Sequence, residues 1–171
     1  MEDTIIRTLY LVSVWLHIVA AAAWLGGMLF LVLVVVPALR KPSLAAHAAA
    51  AIKVVGERYR TVGWATLLVL VVTGVTNAMF RAGSAAGLAD ASWWATPFGR
   101  ILAAKLSLVG LVLALSGLHD FMIGPRAGRL MLEAPEDPAT ARWRAAARWM
   151  GRINLLLALA IVALAVRLVR G

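Results

Sequence analysis

Cysteine is absent from the 171-residue chain. Disulfides, thiolate metal sites and thiol redox chemistry are therefore excluded, and any metal or cofactor must rely on His, Met, Lys or carboxylate groups. Charge is scarce too. Only 15% of residues are Asp, Glu, Lys or Arg, against about 25% in a soluble globular domain. Acidic residues are the rarer sign, 8 against 17 basic, and histidine occurs three times. The six methionines are scattered, without the Met-x-x-Met clusters that handle copper, so most of them are expected to pack. No internal repeat of 20 to 50 residues is visible.

Apolar residues make up 63% of the chain, and the mean hydropathy is +0.88. Crossing a bilayer takes ~20 predominantly apolar residues. Four stretches qualify, approximately 9–36, 61–80, 101–118 and 153–168. Each must be helical, because hydrocarbon offers backbone N–H and C=O groups no outside partner. The expected fold is an all-α membrane protein. It is one domain over 1–171, a four-transmembrane-helix up-down bundle whose partner is the lipid bilayer.

The basic residues are unevenly placed. Arg40, Lys41, Lys53, Arg58 and Arg60 lie between the first two stretches, and Arg126, Arg129, Arg142, Arg144, Arg148 and Arg152 between the last two. The opposite side holds Arg7, Arg81, Arg100, Arg167 and Arg170. Lys and Arg favour the cytoplasmic side, so both basic loops are expected inside and both termini outside. The excess suits topology and lipid headgroups, not nucleic acid. The start, MEDTIIRTLY, lacks the basic region of a cleaved signal peptide, so the first stretch is expected to be retained. Pro37 and Pro42 punctuate its inner exit. Ser43 is a candidate cap for an amphipathic segment, LAAHAAAAIKVVGERYR, that precedes or runs into the second helix. A second amphipathic segment, ARWRAAARWMGR at 141–152, starts the fourth helix, after an inner loop, LMLEAPEDPAT, expected to be irregular. Trp93 and Trp94 suit a headgroup anchor.

Polar groups inside the apolar stretches are costly and tend to face the bundle interior. They are His17, Thr73, Thr76, Asn77, Lys105, His119, Asp120 and Asn154. At ~1.5 Å per residue, His17 and Lys105 each lie roughly 8 Å from their span centres, both toward the outside. With Asn77 they can form one outer layer, while His119, Asp120 and Asn154 form an inner one near Arg148 and Arg152. Trp24 follows His17 by two turns on the same stripe. A polar point beside a flat aromatic wall suits a planar cofactor, and it equally suits plain helix packing. Ala22–Gly26 and Ala23–Gly27 offer small residues four apart for close helix contact. Bland roles exist for each polar group: His17 as a cross-helix hydrogen bond, Lys105 snorkelling to headgroups, His119–Asp120 as a solvated pair. His47, in the amphipathic segment, is expected to be exposed.

The segment HIVAAAAWLGG, closed by PALR on the same helix, resembles the CopD-like (copper resistance D domain) superfamily of four-helix bacterial membrane proteins. KLSLVGLVLALSGLHDFMIGPR is similar to the third helix of small stand-alone proteins of that group. The pattern also resembles the HemJ-type protoporphyrinogen oxidase, a haem b protein, with His17 and Lys105 on its histidine and lysine positions. The resemblance implies the bacterial cytoplasmic (inner) membrane, with the termini on the periplasmic side.

It also implies a cofactor or cargo, haem b or a copper ion, held in the outer half through His17. For haem, Trp24, Lys105 and His119 are the accompanying candidates; for copper, Met28 is. The functions this leaves open are copper permease-type transport, HemJ-like porphyrinogen oxidation, and a non-catalytic accessory subunit of a larger membrane complex or homo-oligomer.

Overall fold

The computed structural model describes residues 1–170, apart from the side chains of Glu2 and Ala45. Its regular structure is helical, and no strand occurs among the described residues. Four helices are long and apolar enough to cross a membrane. The first, Glu2–Phe30, continues through a π-helical turn, Leu31–Val35, into Val36–Ala38. After a 3-10 turn, Pro42–His47, comes the second, Ala48–Ala82. Two short helices, Ala85–Ala89 and Ala91–Trp94, form the loop at the opposite end. The third long helix, Pro97–Leu118, passes through a π-helical turn, His119–Ile123, into Gly124–Glu133. Pro138–Arg170 is the fourth.

The second and fourth helices run 35 and 33 residues. At ~1.5 Å per residue each is about 50 Å long, well beyond the ~30 Å hydrocarbon thickness. The amphipathic segment at 141–152 belongs to the fourth helix and the one at 44–60 belongs to the second from Ala48 on, so both helices project beyond the apolar length. Ser43 caps nothing: it lies within the 3-10 turn, and the second helix begins after His47 without a side-chain cap. The inner loop is also shorter than its prolines and acids suggested. Helix continues through Glu133 and resumes at Pro138, where Asp137 Oδ1 accepts the Ala139 N–H at 2.7 Å. Proline at the first helical position gives up only an N–H that would be orphaned anyway, so helix restarts at once.

Both π-helical turns have the same cause. Pro37 and Pro125 each follow a turn by two residues. A proline inside a helix lacks its N–H and crowds the carbonyl four residues back. The helix absorbs this by slipping to longer bonds, Val36 N–H to Leu31 O and Gly124 N–H to His119 O. In the third helix the slip falls on the one His-Asp pair of the sequence.

The first and second helices pack along each other, as do the third and fourth. The second meets the third mainly at the inner end, through Gly124–Glu133. The core where all four converge is Trp24 and Met28, Leu67, Val112 and Ala158. On the first helix the inward stripe runs Ser13, His17, Ala20, Trp24, Met28, at spacings of three and four. Ile18, Leu33, Leu68 and Leu156 point outward and are more than 60% exposed, as lipid-facing side chains should be.

That phase revises the small-residue seam. Ala22, Ala23 and Gly26 fall off the stripe, and Gly26 has open space where a Cβ would stand. Gly27 alone makes the close approach, lying under the Tyr59 ring, whose hydroxyl donates to the Trp24 carbonyl at 2.7 Å. Gly27→Ala would drive a methyl into that ring. We expect a loss of about 1–3 kcal/mol, read as a lower unfolding midpoint in detergent, with Gly26→Ala as a near-neutral control.

Candidate functional site

Two polar layers lie on inward-facing stripes. In the outer layer His17 Nδ1 lies 2.8 Å from Thr73 Oγ1. Thr73 is buried in an apolar turn and donates its hydroxyl proton back to the Val69 carbonyl at 2.6 Å. With that proton committed, the oxygen accepts, so His17 carries its proton on Nδ1 and its lone pair on Nε2. Gly74 makes room for the ring: a Cβ there would stand 3.4 Å from His17 Cε1. Ser13 Oγ donates to the Thr73 carbonyl at 3.5 Å, one turn further out. The helix pair thus holds the imidazole through Nδ1.

Lys105 lies on the buried stripe of the third helix with Leu102, Val112 and Ser116. It makes no ion pair among the described residues. Its level follows from the inner contacts. Trp64 of the second helix touches Gly117 and Asp120 of the third, which runs antiparallel. Thirteen residues outward along the second helix is Asn77, and thirteen residues back along the third is the turn containing Lys105. The Asn77 side-chain oxygen is buried without a hydrogen-bond partner among the described residues. His17, Thr73, Asn77 and Lys105 therefore lie within about a turn of one another, in the half of the bundle nearer the termini. Thr73 is the member whose role single-sequence reasoning missed, since its pairing with a histidine 56 positions away has no local signal.

The inner layer is built around Asp120. Its Oδ1 accepts from His119 Nδ1 at 2.9 Å and its Oδ2 from Trp64 Nε1 at 3.0 Å. Arg60 donates to the Asp120 carbonyl at 3.1 Å and lies over the Phe121 ring. The expected partner Asn154 is elsewhere: its amide donates to Ser116 Oγ at 2.7 Å, one turn deeper. Arg148 and Arg152 stay exposed. The correction has a simple cause. The π-helical turn rotates Asp120 toward the second helix, where Arg60 and Trp64 are one turn apart. A cavity of about 500 Å³ opens beside this layer, lined by Lys53, Glu57, Arg60, His119, Asp120 and Arg129 among others.

The other sequence candidates separate. Trp24 is 8% exposed and packs in the core with Met28. Met28 lies eleven residues from His17, about 16 Å along the helix, so the two do not reach one ion. His17 and His119 sit in different layers. His47 is exposed. No group of three or more His, Cys, Asp or Glu able to hold a metal occurs among the described residues. Outside the spans, the loop carboxylate of Asp90 caps the Ala91–Trp94 helix and is held below its usual range by accepting from the Ser92 N–H and hydroxyl.

Residues 53–168 match the family model of copper resistance protein D. That segment contains Thr73, Asn77, Lys105, His119 and Asp120, and it begins after His17. A protein of Aquifex aeolicus (strain VF5), described only as uncharacterized, is 35% identical over 159 residues, covering 92% of this chain and 93% of the relative. No solved structure matches.

Proposed function

The chain belongs to the copper resistance protein D family, and from that premise we propose that it handles copper as a cargo in the membrane, with His17 as the ligand of the outer half. The four apolar helices make it a multi-pass membrane protein. The bias of Lys and Arg toward the loops 37–60 and 119–152 supports both termini outside and the basic loops on the cytoplasmic side of a bacterial inner membrane. The projecting basic ends of the second and fourth helices, the fourth bearing Trp143 and Trp149, would then lie at headgroup level on that side.

One observation carries the reading: the Nδ1 of His17 is tied to Thr73 at 2.8 Å, and the Thr73 hydroxyl is tied to the Val69 carbonyl at 2.6 Å. Metal-binding imidazoles are held in this way, one nitrogen fixed by an outer partner and the other left for the ion. Imidazole suits copper. A lone imidazole with one amide oxygen and one amine nearby is a sparse donor set. It fits an ion in passage better than a permanently held one, which favours the permease-type function over a storage site.

A resident haem b fits less well. His17 and His119 do not face one another across a macrocycle, and Trp24 is packed among Met28, Leu67, Val112 and Ala158. Copper-dependent growth and copper accumulation of cells carrying His17→Ala test the proposal. Loss of the copper effect supports it, and a variant that behaves like the wild-type protein removes it. The absorption spectrum of the purified protein tests haem separately, since a Soret band that disappears in His17→Ala would replace copper by haem.

A further inference from the structure

The cavity of about 500 Å³ beside the inner layer starts where two apolar stretches end. Arg60 immediately precedes the stretch 61–80, and His119 and Asp120 immediately follow 101–118. Away from the apolar stretches it follows the second helix from Arg60 back to Ile52, eight residues, or about 12 Å. The cavity therefore begins at the edge of the hydrocarbon and spans the headgroup layer. On its second-helix wall Lys53, Glu57 and Arg60 recur at spacings of four and three, one face of the helix. A Cβ at Gly56, beside Glu57, would meet nothing within 4 Å, so the wall stays open between the charged side chains.

Three cations and three carboxylates line the cavity, and they are not equally free. Asp120 spends both oxygens on His119 and Trp64, and Arg129 lies 3.7 Å from Glu133. Arg60 spends one N–H on the Asp120 carbonyl, out of the five that a guanidinium carries. That bond and the Phe121 ring beneath it fix the group in place. Lys53 and Glu57 are four residues apart, yet neither makes an ion pair among the described residues. A ligand thus meets a fixed guanidinium at the hydrocarbon edge and a free carboxylate one turn further from it.

We propose that this cavity binds the headgroup of an ethanolamine phospholipid, with the phosphate on Arg60 and the primary ammonium on Glu57. The order of charges in the wall is the order in the lipid, phosphate next to the glycerol and ammonium beyond it on a two-carbon tether. Residues three apart on a helix have Cβ atoms about 5–6 Å apart, a gap that such a tether spans. Guanidinium offers parallel N–H donors to phosphate oxygens, and basic pockets between membrane helices are where lipid headgroups dock. An anionic lipid would set Glu57 against negative charge, and a choline headgroup would offer it no N–H. Lys53 is exposed and turns its ammonium to water. A soluble phosphoethanolamine ester carries the same charges, but the flank suits acyl chains. Phe121 and Met122 are more than 60% exposed, and Phe121 adjoins Arg60, so an apolar track leads away from the site. The inference stands apart from the copper reading.

The test is lipid competition on the full-length protein in detergent, read by native mass spectrometry. From an equimolar mixture of ethanolamine, choline and glycerol phospholipids with the same acyl chains, the wild-type protein should retain the ethanolamine lipid. The preference should be about tenfold, the worth of one charge-assisted hydrogen bond. Glu57→Ala should erase the preference while a lipid stays bound, and Arg60→Gln should release it. Equal retention of the three lipids by the wild-type protein, or a preference that survives Glu57→Ala, overturns the proposal. Soluble glycerophosphoethanolamine should not displace the lipid at equal concentration; displacement would assign the cavity to a soluble ester and overturn the lipid.

A measurement on the unaltered protein guards against a misfolded variant. In nanodiscs of ethanolamine lipid, a water-soluble carbodiimide should join the lipid amine to the Glu57 carboxyl as an amide, mapped by mass spectrometry. No lipid adduct at Glu57, or an equal yield at the exposed Glu136, overturns the site.

Discussion

On the proposed copper reading, His17→Ala should abolish copper-dependent growth and uptake, while leaving the amount of protein in the membrane near normal. The ring is half-buried and held by one hydrogen bond across two helices. Interhelical hydrogen bonds of that kind contribute on average about 0.6 kcal/mol in a membrane bundle, so stability should change little. On the proposed reading, copper handling rests on Nε2, which Ala removes. Thr73 separates ligation from mere packing. Thr73→Val keeps the shape and removes the acceptor that fixes the tautomer, and should weaken copper affinity by about 10–100-fold, as loss of an outer-shell partner does. Thr73→Ser keeps the acceptor and should retain most of the affinity. If Thr73→Val and Thr73→Ser behave alike, the hydroxyl does not set the ligand, and the outer site as drawn here fails.

Trp24→Ala should have the opposite signature, a large loss of stability with no specific loss of copper chemistry in the molecules that remain folded. Trp24 is 8% exposed and packs among residues from the second, third and fourth helices. Removing a buried Trp side chain in a soluble core costs about 3–5 kcal/mol. In a bilayer the transfer part of that cost shrinks, because lipid is as apolar as the core, but the lost packing contacts remain. About 3 kcal/mol is therefore expected, read as a lower unfolding midpoint in detergent. Trp24→Phe should recover much of it. A Trp24→Ala protein of unchanged stability that lost a bound chromophore would instead make Trp24 the wall of a cofactor site.

Much of the architecture was legible without coordinates. Four apolar stretches of sufficient length and a lipid solvent leave few choices but helices, and the polar residues inside them had to be few and inward. Local chemistry also pointed correctly to prolines as interruptions at Pro37. It erred where two signals competed. Ser43 looked like a cap, yet Pro42 set a 3-10 turn there, and the loop of acids and prolines at 130–140 is largely helix because Asp137 and Pro138 restart it.

The alanine-glycine seam held only at Gly27, for a geometric reason. A spacing of four names a stripe but not which stripe faces inward, and Gly27 under Tyr59 was the phase that packing chose. The site divides in the same way. His17, Lys105, Asn77, His119 and Asp120 stood out by the solvation cost of placing them in oil. Nothing local could say that Thr73 would fix His17, or that Arg60 and Trp64 would take Asp120 from Asn154.

By itself, then, the amino-acid order determined the medium, the number of spans and the short roll of polar groups that had to be buried, because those follow from transfer free energies residue by residue. The partners, the tautomers and the cavity were decided only by tertiary structure. They depend on the rotational phase and antiparallel register of helices far apart in the chain, and on a π-helical slip ahead of Pro125 that turns Asp120 and leaves His119 at the edge of an open space.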